Sequence, residues 1–377
     1  MDMIPVHRPR LPLTEKILPY LQRIDGARWY SNFGPLLCEF EGRLAEYFNV
    51  APAMVATAGN GTLMLTSMLK ALNVPEDSFC IMPSWTFIAT AAAAHYAGLI
   101  PYFVDVDITT QALDPLALKD QLALMNDPVG AVIVVAPFGA TIDICSWDQF
   151  TDETGIPVII DAAAGFDTVG QSPLMTVGRS PIMVSMHATK VFGIGEGGIG
   201  LSTNTELIWK IKSMTGFGLN LQREALLLGT NAKLSEYTAA VGLAAMDEWS
   251  ATRREWEIAR NHYINHCQVF EINHSLSADY VTSTCNVMLP EIGEKVAEHL
   301  KAAGVDTRKW WFNGCHQHHA YKHFPRSRDL SATDFLSRSV LGLPFAIDIS
   351  EGNINYVCEM LSSVLMNVNQ YKMPQTA

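Results

Sequence analysis

The sequence predicts an α/β protein with a mostly parallel sheet covered by helices on both faces and a smaller C-terminal α+β domain. Three observations carry that reading. The chain has 377 residues, 49% hydrophobic and 17% charged, enough to bury a large core divided between two domains. From about residue 50 to 215, short β-rich runs alternate with helical stretches, which is how a parallel sheet with crossover helices is written. Beyond Lys233 the pattern changes to one long proline-free helical stretch reaching about His266.

In order, the strand candidates are Ala53 to Thr57, Phe79 to Met82, Pro101 to Val106, Ala131 to Ala136, Pro157 to Asp161 and Ile182 to Met186, all apolar and of strand length. Between them Thr62 to Leu72, Phe87 to Ala97, Leu116 to Leu124 and Trp147 to Thr154 have helical spacing or good helix formers. The stretch through Tyr237 and Met246 reads as a domain-linking helix, and the boundary is expected at 245/246. The remainder holds a strand candidate at Asn286 to Leu289, a helix at Gly293 to Ala303, a loop rich in aromatics and histidine, and a final helix at Asn353 to Val368.

Charge and cysteine usage exclude several classes. Lys and Arg total 26 against 38 Asp and Glu, a net charge of -12, the wrong sign for gripping nucleic acid by its phosphates. The seven cysteines are scattered and never form C-x-x-C, so a reduced, cytoplasmic setting is expected, with neither a disulfide framework nor a cysteine zinc site. The N-terminus lacks the pattern of a secretory signal. The most apolar window, Phe87 to Val104, contains His95, Gly98 and Pro101 and reads as a helix turning into a strand, not a membrane span.

The segment richest in chemistry is Ser185-Met186-His187-Ala188-Thr189-Lys190, followed by Gly193-x-Gly195-x-Gly197-Gly198. A lysine at the end of a buried strand, among small residues, is placed to lose solvent, and a desolvated amine is the nucleophile needed for a Schiff base with a carbonyl cofactor. Gly193-x-Gly195-x-x-Gly198 also matches the dinucleotide fingerprint as a string, but it runs into the strand-like Ile199 to Ser202 and not into a helix, and no suitable acid follows. The run Pro157 to Asp161 ends in an acid followed by Ala162, Ala163 and Ala164, so Asp161 projects from a parallel strand end into the crevice where α/β proteins bind ligands. A pyridoxal phosphate site needs such a carboxylate beside its ring nitrogen.

Gly59-Asn60-Gly61-Thr62-Leu63 carries a strand through a glycine turn into an apolar helix, where free amides and a hydroxyl make a phosphate cradle. Pro83-Ser84-Trp85-Thr86-Phe87 offers aromatics at another strand end, one of which could stack on a flat cofactor. The histidines His316, His318, His319 and His323 raise the alternative of a metal site, but no carboxylate or cysteine falls at ligand spacing beside them, and no metal is expected.

In order and spacing these blocks, together with Asn32-Phe33-Gly34-Pro35 and Phe103-Val104-Asp105-Val106-Asp107, resemble the DegT/DnrJ/EryC1/StrS sugar aminotransferases of pyridoxal phosphate fold type I. The resemblance spans nearly the whole chain and implies a large domain, 1–245 with an N-terminal arm, on a mostly parallel, seven-stranded type of sheet, and a small domain, 246–377. It implies that Lys190 joins the cofactor covalently, that Asp161 holds the ring nitrogen, and that Phe87 stacks on the ring. Gly61, Thr62, the amide of Leu63 and the hydroxyl of Ser185 take the phosphate, with Asn231 arriving from the second subunit of a homodimer. His187 and His316 are assigned to the substrate side, His316 within Trp311-Phe312-Asn313-Gly314-Cys315-His316, which stands in place of an aromatic-Pro-Leu-His segment.

Two departures stand out. Ala164 occupies the position where the family carries glutamine or histidine against the cofactor ring, and Asn231-Ala232-Lys233 replaces Asn-Tyr-Arg. The implied reaction moves an amino group from an amino acid, with glutamate as the expected donor, to a keto-deoxy sugar carried on a nucleotide. Dehydration or another reaction on the same cofactor, and a non-catalytic member of the fold, are the alternatives left open.

Overall fold

The computed structural model describes residues 3–125, 127–220 and 222–367. In chain order its helices are α1 (Thr14–Ala27), α2 (Pro35–Tyr47), α3 (Gly61–Ala71), α4 (Ile88–Tyr96), α5 (Pro115–Leu122), α6 (Ile144–Thr154), α7 (Phe166–Gln171), α8 (Thr205–Thr215), α9 (Glu236–Val269), α10 (Gly293–Ala302), α11 (Ser331–Ser339) and α12 (Glu351–Asn367). The strands are β1 (Val55–Ala58), β2 (Phe79–Pro83), β3 (Ile100–Val104), β4 (Val129–Val135), β5 (Val158–Asp161), β6 (Ile182–Ser185), β7 (Gly198–Leu201), β8 (Cys285–Met288) and β9 (Val340–Leu343). Val368, expected in the last helix, lies outside the described residues.

Seven strands form one sheet in the order β1-β7-β6-β5-β4-β2-β3. β7 runs antiparallel to β1 and β6, and every other pair is parallel. Both faces are covered, so the strands read as continuous apolar runs whose alternate residues enter opposite cores. In β4, Val132 and Val134 join the core holding Phe40, Trp147 and Phe166, whereas Ala131 and Ile133 join the one holding Met64, Met68 and Leu207. Each large side chain buried this way contributes about 1.5–3 kcal/mol. β8 and β9 make a small antiparallel sheet in the C-terminal α+β region.

α9 is 34 residues long and packs on α1, α2 and α12, so the expected 245/246 boundary falls inside one continuous helix. Its first residue is the buried acid Glu236, which accepts bonds from the amides of Leu36 at 2.8 Å and Leu37 at 2.9 Å. Those amides are orphan donors at the start of α2, where Pro35 occupies the first turn and has no N–H to satisfy. The N-terminal segment pairs with the C-terminal region, since Ile4 N–H donates to the Gly304 carbonyl at 2.8 Å and Phe345 N–H to the Val6 carbonyl at 3.1 Å. Among the described residues no helix is long and apolar enough to cross a membrane.

Candidate active site

The carboxyl ends of β1, β2, β5 and β6 open on one edge of the sheet, the place where parallel α/β sheets bind ligands. β5 ends in Asp161, which is only 5% exposed. Its carboxylate accepts from Thr90 Oγ1 at 2.8 Å and from the Ala163 amide at 3.2 Å, and Thr90 Oγ1 shares a further bond of 2.9 Å with Thr86 Oγ1. Burial pushes the Asp161 carboxyl up, while those two bonds and the nearby Lys190 charge pull against it.

Past β6 the chain turns tightly. The amide of Met186 donates to Gly197, that of Ala188 to Gly195, and that of Lys190 to His187. Gly195 sits at φ +102°, and a methyl group on Gly193 would lie 2.7 Å from the Ala188 carbonyl oxygen, so the glycines set the shape of this turn. Lys190 leaves it with its amine pulled below the ordinary lysine range by burial, against the attraction of Asp161. Each group therefore lies within the other's field, and the amine gains the neutral fraction that nucleophilic attack on a carbonyl requires.

β1 feeds through Gly59 into α3. Asn60 caps that helix, its Oδ1 accepting the Leu63 amide at 2.8 Å. The Leu63 amide is thus engaged internally, and the amides of Gly61 and Thr62 are the donors without a partner among the described residues. A methyl on Gly61 would lie 3.3 Å from Ser185 Cβ, so the start of α3 abuts the end of β6 and brings the Ser185 hydroxyl to the same place. Ser185 Oγ accepts from the His187 amide at 3.2 Å.

Of the two aromatics after β2, Trp85 is buried against Trp311 and Phe138, whereas Phe87 is 58% exposed at the start of α4. Ala164 is half-buried. His187 is part-exposed, with Nδ1 2.8 Å from Thr189 Oγ1. His316 is buried, its Nδ1 2.7 Å from Ser84 Oγ, which docks this loop just past the end of β2, and its Nε2 2.9 Å from Nε2 of the neighbouring Gln317 within the loop. Asn231 is exposed and accepts from Lys233 Nζ at 2.6 Å. The neighbouring Ala232 carbonyl accepts from the Gly59 amide at 2.7 Å, which places the 231–233 segment beside the cradle. Among the described residues no three His, Cys, Asp or Glu side chains are grouped to hold a metal ion.

This donor set fits pyridoxal phosphate: an anion cradle at a helix start, a buried carboxylate, an exposed ring, and a desolvated amine. Sequence reasoning missed Thr90, the threonine three residues beyond Phe87 that orients Asp161, and His7, which meets the Thr189 carbonyl from 182 positions away. Thr90 could be found by its helical spacing from Thr86, but nothing local marks His7.

The DegT/DnrJ/EryC1/StrS aminotransferase family matches residues 12–362. The chain is 30% identical over 356 residues to Protein Rv3402c of Mycobacterium tuberculosis, covering 90% of this chain and 85% of that one. It is 25% identical over 367 residues to the dTDP-4-amino-4,6-dideoxy-D-glucose transaminase of Shigella dysenteriae, covering 95% and 98%. Among solved structures, DesI in the presence of its TDP-sugar product matches with a TM-score of 0.86 and 28% identity, covering 98% of this chain and 95% of that one.

Proposed function

The chain belongs to the DegT/DnrJ/EryC1/StrS aminotransferase family, and from that premise we propose that it transfers an amino group from an amino acid, glutamate in our assignment, to a keto-deoxy sugar carried on a nucleotide, with pyridoxal phosphate as cofactor. The observation that carries this reading is the half-buried Lys190, on the turn after β6, whose amine lies in the field of the buried Asp161 carboxylate at the end of the adjacent β5. Relatives that act on nucleotide sugars support the acceptor class.

Lys190 would bind the cofactor covalently and Asp161 would hold its ring nitrogen. Phe87 would cover one face, Ala164 would offer only a methyl to the other, and Gly61, Thr62 and Ser185 would hold the phosphate. Pyridoxal phosphate supplies an aldehyde that carries the amino group and a ring that accepts electrons from the substrate carbon. Lys190 Nζ, kept short of protons by burial, takes the proton from the carbon bearing the amino group and later returns one. Asp161 is oriented by Thr90 and the Ala163 amide where water is excluded, so the field of its ionised form would be stronger there than in solvent. In this reading His187 and the loop docked by His316 would lie toward the sugar.

We assign a second copy of this chain as the partner. Exposed apolar side chains lie near the segment that carries Asn231, including Trp29, Tyr30, Phe217, Leu226, Leu228 and Tyr237, the kind of surface a protein partner covers. Covering it would place Asn231, on the segment already beside the cradle of its own chain, at the subunit interface.

The test is a half-reaction. Glutamate added to the cofactor-loaded protein should abolish the visible absorbance and release 2-oxoglutarate, and thymidine or uridine diphosphate keto sugars should restore the absorbance as the amino sugar forms. Restoration by no keto sugar, with glutamate conversion intact, would contradict the acceptor class, and no response to any amino acid would contradict transamination altogether.

A further inference from the structure

We infer that His7 is a positioning residue for Lys190, holding the lysine turn in register with the small C-terminal region through a hydrogen bond to the Thr189 carbonyl. The inference rests on the reading of Lys190 as the reactive amine.

The N-terminal segment is fastened to the C-terminal region on both sides of His7. Ile4 bridges Val305, the Asp306 amide donates to the Ile4 carbonyl, the Phe345 amide donates to the Val6 carbonyl, and Arg8 pairs with Asp348. His7 is the point where this segment reaches across to the large domain. Its Nε2 lies 2.9 Å from the carbonyl oxygen of Thr189, the residue just before Lys190. A carbonyl can only accept, so Nε2 carries the hydrogen and the ring is the Nε2–H tautomer when neutral. Nδ1 is then a bare acceptor, and it is buried with no partner among the described residues, which disfavours adding a second proton. The ring also meets Trp310 edge-on at 6.2 Å between centroids, fixing its plane.

The charged neighbours point the same way. Burial lowers the imidazole below its ordinary range, opposed by the bond to the Thr189 carbonyl and by the Phe345 backbone, while the positive charges of Lys190 and Arg308 lower it further. His7 is therefore a neutral donor that lies in the field of the Lys190 amine without adding charge to it. On the other side of Lys190 the facing charge is Asp161. The lysine turn is otherwise held from within, by backbone bonds from Lys190 to His187 and from Ala188 to Gly195 and by His187 Nδ1, which meets the amide and hydroxyl of Thr189. In the N-terminal segment, the His7 ring is the side chain that grips this turn from outside it. Losing that grip should let water reach the amine and relieve the desolvation that depresses it.

Two matched variants test this. The side-chain amide of His7→Gln can occupy the place of imidazole Nε2 and donate to Thr189, while that of the shorter His7→Asn cannot reach. In the full-length chain, stripped of bound carbonyl compounds with hydroxylamine, the rate at which a trace acetylating reagent labels Lys190 is followed against pH by mass spectrometry. Thermal unfolding serves as a check on folding. The expected result is a midpoint raised in His7→Asn by about half a pH unit, roughly threefold in the neutral amine fraction, with His7→Gln at the wild-type midpoint. Equal midpoints in all three proteins would overturn the inference, and so would equal shifts in both variants, which would mark a packing effect without the bond. The measurement needs no cofactor. A failure of the pyridoxal phosphate reading would appear separately, as wild-type protein that gains no visible absorbance when the cofactor is added.

Discussion

Gly198→Ala tests the phosphate cradle from beneath. Gly198 lies in β7 between Ala58 of β1 and Ser185 of β6, and an added methyl would sit 2.6 Å from the Asn60 carbonyl oxygen, 2.8 Å from its carbon and 3.0 Å from Gly61 Cα. All three are backbone atoms and cannot rotate away. Since carbon and carbonyl oxygen approach no closer than about 3.3 Å, the α3 entrance must lift by roughly half an ångström or more. Asn60 holds the amides of Leu63 and Met64, so the first turn moves with it, away from the Ser185 hydroxyl. Overpacking of this kind costs about 1–3 kcal/mol. Falling on the cradle, that is a loss of about fivefold to more than a hundredfold in pyridoxal phosphate affinity. Titration of cofactor-free protein, followed by visible absorbance, measures it. Gly26→Ala is the control, because nothing lies within 4 Å of a methyl there. A folded Gly198→Ala protein with wild-type affinity would refute the geometry assigned to the cradle.

Further outcomes follow from single contacts. Asp161→Asn keeps the shape but removes the charge, and should lower kcat/KM by about 10²–10³ while leaving thermal stability near wild type. Steady-state kinetics beside a melting curve check this, and full activity would sink the role of Asp161. Burial holds the Lys190 amine below its ordinary value, so between its folded and unfolded values the unfolded chain binds more protons and unfolding free energy rises with pH. Asp161, whose carboxyl is raised, acts with the opposite slope in its own lower window. Lys190→Met should remove the alkaline rise in urea titrations of cofactor-free protein at stepped pH, and a persistent rise would place its source elsewhere. Glu236→Ala strands the buried amides of Leu36 and Leu37 and should cost about 3–5 kcal/mol in the same denaturant titrations, and a change below about 1 kcal/mol would show that water replaces the carboxylate.

The sheet was legible where burial on both faces writes itself as an unbroken apolar run, as in Val129–Val135 and Ile182–Ser185, with ends displaced by a residue or two. α1 and α2 were not: Pro19 interrupts the helical pattern of α1, and α2 is anchored by Glu236, about 200 positions away. Asp161 and Lys190 were legible as candidates because an acid or an amine after an apolar run stands out against its neighbours, although only Asp161 closes its strand and Lys190 lies five residues past the end of β6, in the turn. Their mutual field was not, since it depends on β5 and β6 lying side by side. The cradle shows the same division. Gly61 and Thr62 sit at a helix start as the turn suggested, yet only the folded chain shows that Asn60 takes the Leu63 amide for itself. His316 was chosen for its place in a motif, and its burial against Ser84 comes from packing between distant segments.

The central claim is that the amine of Lys190 is the group that binds pyridoxal phosphate. Borohydride reduction of the cofactor-loaded protein, followed by peptide mapping, tests it most directly. One pyridoxyl group per chain on the peptide carrying Lys190, absent from Lys190→Ala, is the result this account predicts. A pyridoxyl group on any other lysine, or none on a protein that still turns over, would contradict it.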